Sequence, residues 1–207
     1  MYRLFTCMIL FIAGSCYAQY LEPLVNPEAF KKALQEKSVD IQSVDASFVE
    51  YVYSSLLKAP KTSNGKLFFT SNDQLRWEKY QPYSEVTISD GVTIKQQQEG
   101  VLVSNEASKR VFKKMESLMK DLLTVSFLES THFLLTYFEN SSSVIIVLKP
   151  QRKSLSKRIS HIRLLFTKQN LALAELSIYE NSLDYIQYAF DQVNYNTELD
   201  SELFTDF

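Results

Sequence analysis

Residues 65–91 read GKLFFTSNDQLRWEKYQPYSEVTISDG. Two apolar-aromatic runs, Leu67–Thr70 and Leu75–Tyr80, are separated by polar Ser71-Asn72-Asp73, the composition of a hairpin turn. Gln81-Pro82 interrupts the pairing, and Glu85–Ser89 resumes it before an Asp90-Gly91 turn. Side chains alternate across a strand, so Leu75 and Trp77 share one face while Arg76, Glu78 and Tyr80 share the other. The pattern predicts an antiparallel sheet that is apolar on one side and wetted on the other.

Working outward, the chain has 207 residues and 45% hydrophobic content, enough for one domain with a substantial core. It carries 12 Tyr and 14 Phe but only four Gly, which favours strands. The net charge is −2 with acids and bases interspersed, which argues against a nucleic-acid partner. Residues 1–18 read as an export signal: Arg3, an apolar run over Leu4–Ala13, then Cys16-Tyr17-Ala18 as a small-x-small cleavage site. That run is too short for the roughly 20 residues a membrane-spanning helix needs. The expected mature domain is therefore 19–207, without a thiol, since both cysteines, Cys7 and Cys16, lie in the leader. Ala13-Gly14-Ser15-Cys16 also permits the alternative of a lipid-anchored N-terminus at Cys16.

Asn26-Pro27-Glu28 opens a helix, with Asn as cap, Pro in the first turn and an acid beside the helix N-terminus. Ala29, Phe30, Ala33 and Leu34 form its apolar face. Val44–Leu57 reads as a long strand, Lys58–Asn64 as a polar loop and Asn64-Gly65 as a turn. Gly91 and Gly100 mark further turns of a meander. The period then changes. Over Asn105–Leu123, Val111, Met115, Leu118, Met119 and Leu122 recur at helical spacing, with Lys109, Arg110, Lys113, Lys114 and Lys120 around them. This helix either packs permanently over the sheet or forms a lid that lifts; methionine in the stripe adapts to irregular partners. Five further strand patterns follow, from Thr131 to Val193. The predicted class is mainly β (α+β), an open antiparallel half-barrel of about eleven strands. An N-terminal helix and a helical lid cover it.

No catalytic constellation is legible. His132 and His161 fall in predicted strands at no ligand-type spacing, and there is no G-x-S-x-G elbow and no phosphate-binding Gly loop. No enzyme, metal or cofactor is expected. A wide sheet curled around two short helices instead predicts a ligand cavity. Phe48, Leu67, Phe69 and Leu75 would line it together with Trp77, Ile88, Ile94 and Phe133, a surface suited to alkyl chains and without directed polar groups.

Gly65-x-Leu-Phe-Phe, then Leu75-Arg-Trp-Glu-x-Tyr80, Pro82 and Val86-Thr-Ile-Ser-Asp-Gly91 resembles the signature of the LolA family of outer-membrane lipoprotein carriers. The resemblance implies a periplasmic, monomeric carrier with a half-barrel closed by a lid. Such carriers take acylated lipoproteins from an inner-membrane lipoprotein-releasing transporter to an outer-membrane acceptor or the membrane. Phe48, Leu75 and Trp77 match family positions facing the cavity, and Gly65 and Asp90-Gly91 match turns. The family's Arg-Pro pair, whose Arg latches the lid, is replaced by Ser71-Asn72. Arg76, on the strand face opposite Trp77, is the remaining candidate for a lid contact. Two alternatives share the fold: a LolB-like acceptor anchored through Cys16, and an envelope sensor or binding module that carries no cargo.

Overall fold

The meander read from residues 65–91 extends in both directions into a single antiparallel sheet. The computed structural model describes residues 21–207, so the expected leader with Cys7 and Cys16 lies outside the described residues. The side chains of Val111 and Leu123 lie outside the description as well. Twelve strands are present. They are β1 (Glu22–Pro23), β2 (Ser43–Tyr53), β3 (Lys61–Thr70), β4 (Leu75–Gln81), β5 (Glu85–Ser89) and β6 (Ile94–Gln98), then β7 (Val101–Val103), β8 (Phe133–Glu139), β9 (Ser143–Pro150), β10 (His161–Thr167), β11 (Leu173–Tyr179) and β12 (Tyr185–Tyr195). Their order in the sheet is β1-β8-β9-β10-β11-β12-β2-β3-β4-β5-β6-β7. The two meanders, β2–β7 and β8–β12, join where β12 pairs with β2, and β1 and β7 remain as unjoined edges. The fold is thus mainly β and open, with one strand more than expected because the two-residue β1 is too short to show a period.

Helix α1 (Pro27–Ser38) is capped by Asn26, whose Oδ1 accepts from the Ala29 N–H at 3.0 Å. It buries Phe30 and Leu34, and the Phe30 ring meets Phe166 of β10 edge-on at 6.0 Å. Helix α2 (Glu106–Leu123) follows the edge strand β7 and is capped by Asn105. A 3-10 turn at Ser126–Leu128 then buries Phe127 before β8.

Gly65 corrects the expected Asn64-Gly65 turn. It lies within β3 opposite Phe48. A Cβ built there would stand 2.4 Å from the Phe48 ring and 2.0 Å from the Glu78 carbonyl. Glycine is present because an aromatic ring crosses the backbone, not because the chain reverses. The expected Lys58–Asn64 loop shortens accordingly, since Lys61–Asn64 extends β3 along the far end of β2, as far as the Val52–Lys61 pair. These residues are polar because they run beyond the core. His132 precedes β8 rather than lying in it.

The register also reverses one assignment. Arg76 is directly opposite Ile88, while Leu75 faces Ser89 and Trp77 faces Thr87. Ile88 therefore shares the convex face with Arg76, and Ser89 and Thr87 share the concave face with Leu75 and Trp77. The alternation Val86-Thr87-Ile88 is consistent with either phase, and the apolar pair here points outward because the C-terminal segment covers it. Arg76 donates to the carbonyls of Leu203 (2.9 Å) and Asp206, and Lys95 to that of Thr205 at 3.0 Å. Phe204 is buried in the 3-10 turn Ser201–Phe204. The convex side of β4–β6 is capped rather than wetted.

Candidate functional site

The concave face carries the site. Phe48, Leu67, Phe69, Leu75 and Trp77 are buried on it, and Ile94 and Phe133 are packed against the same cluster. Phe48 lies at the centre of an aromatic floor, with ring centroids 4.5 Å from Trp77, 5.8 Å from Tyr188 and 6.4 Å from Phe190. Tyr188 and Phe190 are inward residues of β12 that local sequence patterning did not single out. Strand β12 becomes a neighbour of β2 only through a pairing more than a hundred residues apart.

Helix α2 lies over this floor. Met119 and Leu122 are buried, Met115 and Leu118 are partly buried, and Phe112 joins the same stripe. Phe112 falls three residues before Met115 and seven before Met119, so its helical spacing made it readable in advance. The expected hollow is filled by this stripe. A cleft of about 30 Å³ remains beside Met119 and Leu122, one of about 40 Å³ lies toward α1, and one of about 120 Å³ opens beside Phe112 and Met115. A site that encloses a ligand commonly spans about 300–1,000 Å³, and none of these clefts reaches that size while α2 lies in the hollow.

Three polar contacts fasten α2 to the sheet. Lys120 Nζ pairs with Asp73 Oδ2 at 2.8 Å, Ser89 Oγ donates to Glu116 Oε1 at 3.1 Å, and Gln96 Nε2 donates to Ser108 Oγ at 2.8 Å. Each is incomplete. Asp73 Oδ1, Gln96 Oε1 and Glu116 Oε2 are buried without a hydrogen bond, although Lys113 Nζ stands 3.0 Å from the last as an ion pair. Among the described residues the only other such atom is the Tyr137 hydroxyl. The Asp73 carboxylate is 41% accessible and Glu116 keeps its ion pair, so Gln96 Oε1 is the seam acceptor that is buried with no partner at all, at roughly 1–3 kcal/mol against the closed arrangement that the apolar stripe favours. Arg76, the sequence candidate for a lid contact, has its bonds to Glu78 and the C-terminal carbonyls on the other side of the sheet. The basic partner is instead on the helix, and the acid is in the β3–β4 turn, one residue beyond Ser71-Asn72.

At the Phe48 end the face becomes polar. Glu50 is buried, accepting from Tyr188 Oη at 3.0 Å and pairing with Lys79 Nζ at 2.9 Å. Burial first, then the charge of Glu50, raises the Tyr188 hydroxyl well above its ordinary pKa, so it keeps its proton and donates. This corrects the expectation of a wall without directed polar groups. No described group of three or more His, Cys, Asp or Glu is placed to hold a metal ion, and no described helix is long and apolar enough to cross a membrane.

A concave, open antiparallel sheet with an amphipathic helix laid into it is the architecture of a half-barrel protein. Residues 40–206 match the family described as "Outer membrane lipoprotein carrier protein LolA", and the chain belongs to that family. Membership implies lipoprotein binding. Among solved structures, a LolA superfamily protein from Nitrosomonas europaea is 11% identical, with a TM-score of 0.42 over 85% of this chain and 97% of that one. A DUF1329 family protein from Desulfovibrio piger is 9% identical, with a TM-score of 0.42 over 86% and 97%. The Pseudomonas aeruginosa MucA/MucB complex contains a chain 11% identical, with a TM-score of 0.40 over 84% of this chain and 59% of its own. No curated protein matches this sequence.

Proposed function

We propose that the protein is a periplasmic carrier, exported by cleavage after Ala18. It would take acylated lipoproteins from an inner-membrane releasing transporter, hold their chains on the concave face, and pass them to an outer-membrane acceptor or the membrane. The observation that carries this reading is an apolar wall covered by a helix whose polar seam is incompletely satisfied. The magnitudes support it. Burying Phe112, Met119 and Leu122 favours closure by roughly 1.5–3 kcal/mol per side chain. A sixteen-carbon chain costs about 12 kcal/mol to leave in water, at roughly 0.8 kcal/mol per CH₂. One chain therefore outcompetes the helix, yet binds less tightly than it would to an open wall, because displacing the helix is subtracted from its affinity. That difference keeps the cargo releasable. Binding and release need no catalytic group.

The test joins the helix to the sheet. No cysteine follows Cys16, so Asp73→Cys with Lys120→Cys can be linked specifically by a short bismaleimide. The linked protein should lose uptake of a fluorescent acyl probe, while the unlinked double variant retains it and triacylated lipopeptide displaces the probe. Uptake unaffected by the link, or no displacement by any acylated ligand, overturns the proposal. The Ala13-Gly14-Ser15-Cys16 run supports a second reading, an acceptor anchored through Cys16. Mass spectrometry of the native N-terminus distinguishes a free Gln19 from a diacylglyceryl Cys16.

A further inference from the structure

A cleft of about 120 Å³ lies at the polar end of the concave face. Trp77, Phe112 and Met115 form its apolar side, and Lys79, Glu85 and Gln96 its polar side. Gln96 is only 4% exposed. Its Nε2 is committed to Ser108 Oγ at 2.8 Å and Thr87 Oγ1 at 3.3 Å, while its Oε1 is buried with no donor. Two other residues of its lining, Tyr188 and Lys79, are held by Glu50 through the hydroxyl and the ammonium. Glu50 and Glu85 together outweigh the single charge of Lys79. A buried acceptor without a donor, in a pocket with a negative excess, fits a ligand that brings an N–H and carries either no charge or a positive one. The volume suits a small polar group, and the apolar side is continuous with the Phe48–Trp77 floor where chains would begin.

We propose that this cleft is a head-group subsite whose Gln96 Oε1 accepts from an N–H adjoining the acyl chains of the cargo, the amide or amino nitrogen at its lipidated end. The inference rests on the carrier reading and extends it: the wall binds chains without discrimination, and Gln96 selects what the chains are attached to. Gln96 also joins the subsite to the lid, because Ser108, its other partner, belongs to α2.

Four sixteen-carbon probes separate the possibilities in competition with a fluorescent acyl dye: hexadecanamide, hexadecylamine, methyl hexadecanoate and hexadecanoate. The amide and amine should bind about fivefold or more tighter than the methyl ester, the worth of one hydrogen bond, and the carboxylate should bind weakest. Gln96→Leu should reduce the amide-over-ester preference to within about twofold. Gln96→Glu, which keeps an acceptor, should preserve the preference for the amine. A higher amine affinity than amide affinity that disappears in Glu85→Gln would identify an ammonium as the preferred source of the N–H. An amide affinity equal to or above that of the amine would identify the neutral amide. Four equal affinities in the wild type, or an unchanged ratio in Gln96→Leu, would falsify the subsite and leave a hydrated pocket only. Failure of every probe to bind would instead overturn the carrier reading beneath it.

Discussion

Gly65 has the Phe48 ring against its backbone and the Glu78 carbonyl on its other side, leaving no space for a methyl group. Gly65→Ala must push one of them away, and one of the two is main chain. The expected loss is at least about 2 kcal/mol, read as a lower urea midpoint with an unchanged m-value. Glu116 works in the opposite sense. It is a carboxylate at 4% exposure, held by one serine hydroxyl and one lysine that does not complete a hydrogen bond. Its lysine partner is 58% accessible, so an apolar side chain of similar volume at 116 removes the cost of burying a carboxylate and leaves no buried charge unpaired. Glu116→Met should therefore seal α2 onto the sheet, slow amide exchange within it, and weaken acyl-probe affinity by about tenfold if closure gains about 1.4 kcal/mol. Unchanged probe affinity would separate Glu116 from the opening step.

At the level of elements, α2 and the convex ladder make separate predictions. The helix stays closed through a short apolar stripe that includes two methionines. Met115→Ala with Met119→Ala removes one buried and one partly buried side chain, at about 2–5 kcal/mol for a fully buried one. Faster exchange along α2 and higher dye binding should follow, while the exchange protection of β2–β4 is retained. On the opposite face, His161, Tyr179, Tyr185 and Tyr53 are consecutive cross-strand partners from β10 to β2. Their rings stack at centroid distances of 4.3, 4.6 and 4.2 Å. Burial, then the charges of Arg163 and Lys149, lowers the His161 pKa below 6.5. The unfolded chain takes up this proton first as the pH falls through 6.5, so the folded state loses stability on acidification through that range. His161→Phe keeps the stack and removes the titration, and its urea midpoint should vary less between pH 7 and pH 5 than that of the wild type.

On the scale of the whole molecule, an open sheet needs its curvature held from outside as well as filled from within. The C-terminal turn does this on the convex side of β4–β6, with Phe204 buried and Arg76 and Lys95 holding successive main-chain carbonyls. Phe204→Ala should cost about 3–5 kcal/mol. Because the same substitution frees the strands that carry Leu75 and Trp77, it should also broaden acyl-probe binding, measured as a shallower titration. An unchanged thermal midpoint would show that the cap contributes nothing to the sheet.

The reach of the sequence follows from which interactions are local. Alternation at Leu75–Tyr80, the cap Asn26 and the helical spacing of Met115, Met119 and Leu122 are set by neighbours within a few residues, and each produced the expected element. Partners distant along the chain decided the rest. Gly65 resembled a turn residue because the ring that excludes a Cβ belongs to another strand. Ile88 was phased inward because only the C-terminal cap makes an outward isoleucine buried. Ser89, Gln96 and Glu116 looked like ordinary polar residues until the crossing of α2 placed them in one seam. The sequence by itself determined a β meander with one apolar face and an amphipathic helix, because periodicity is a property of adjacent residues. Only the tertiary structure decided that the helix occupies the hollow and where its polar contacts are left incomplete, because burial of a polar atom is defined by whatever packs across from it.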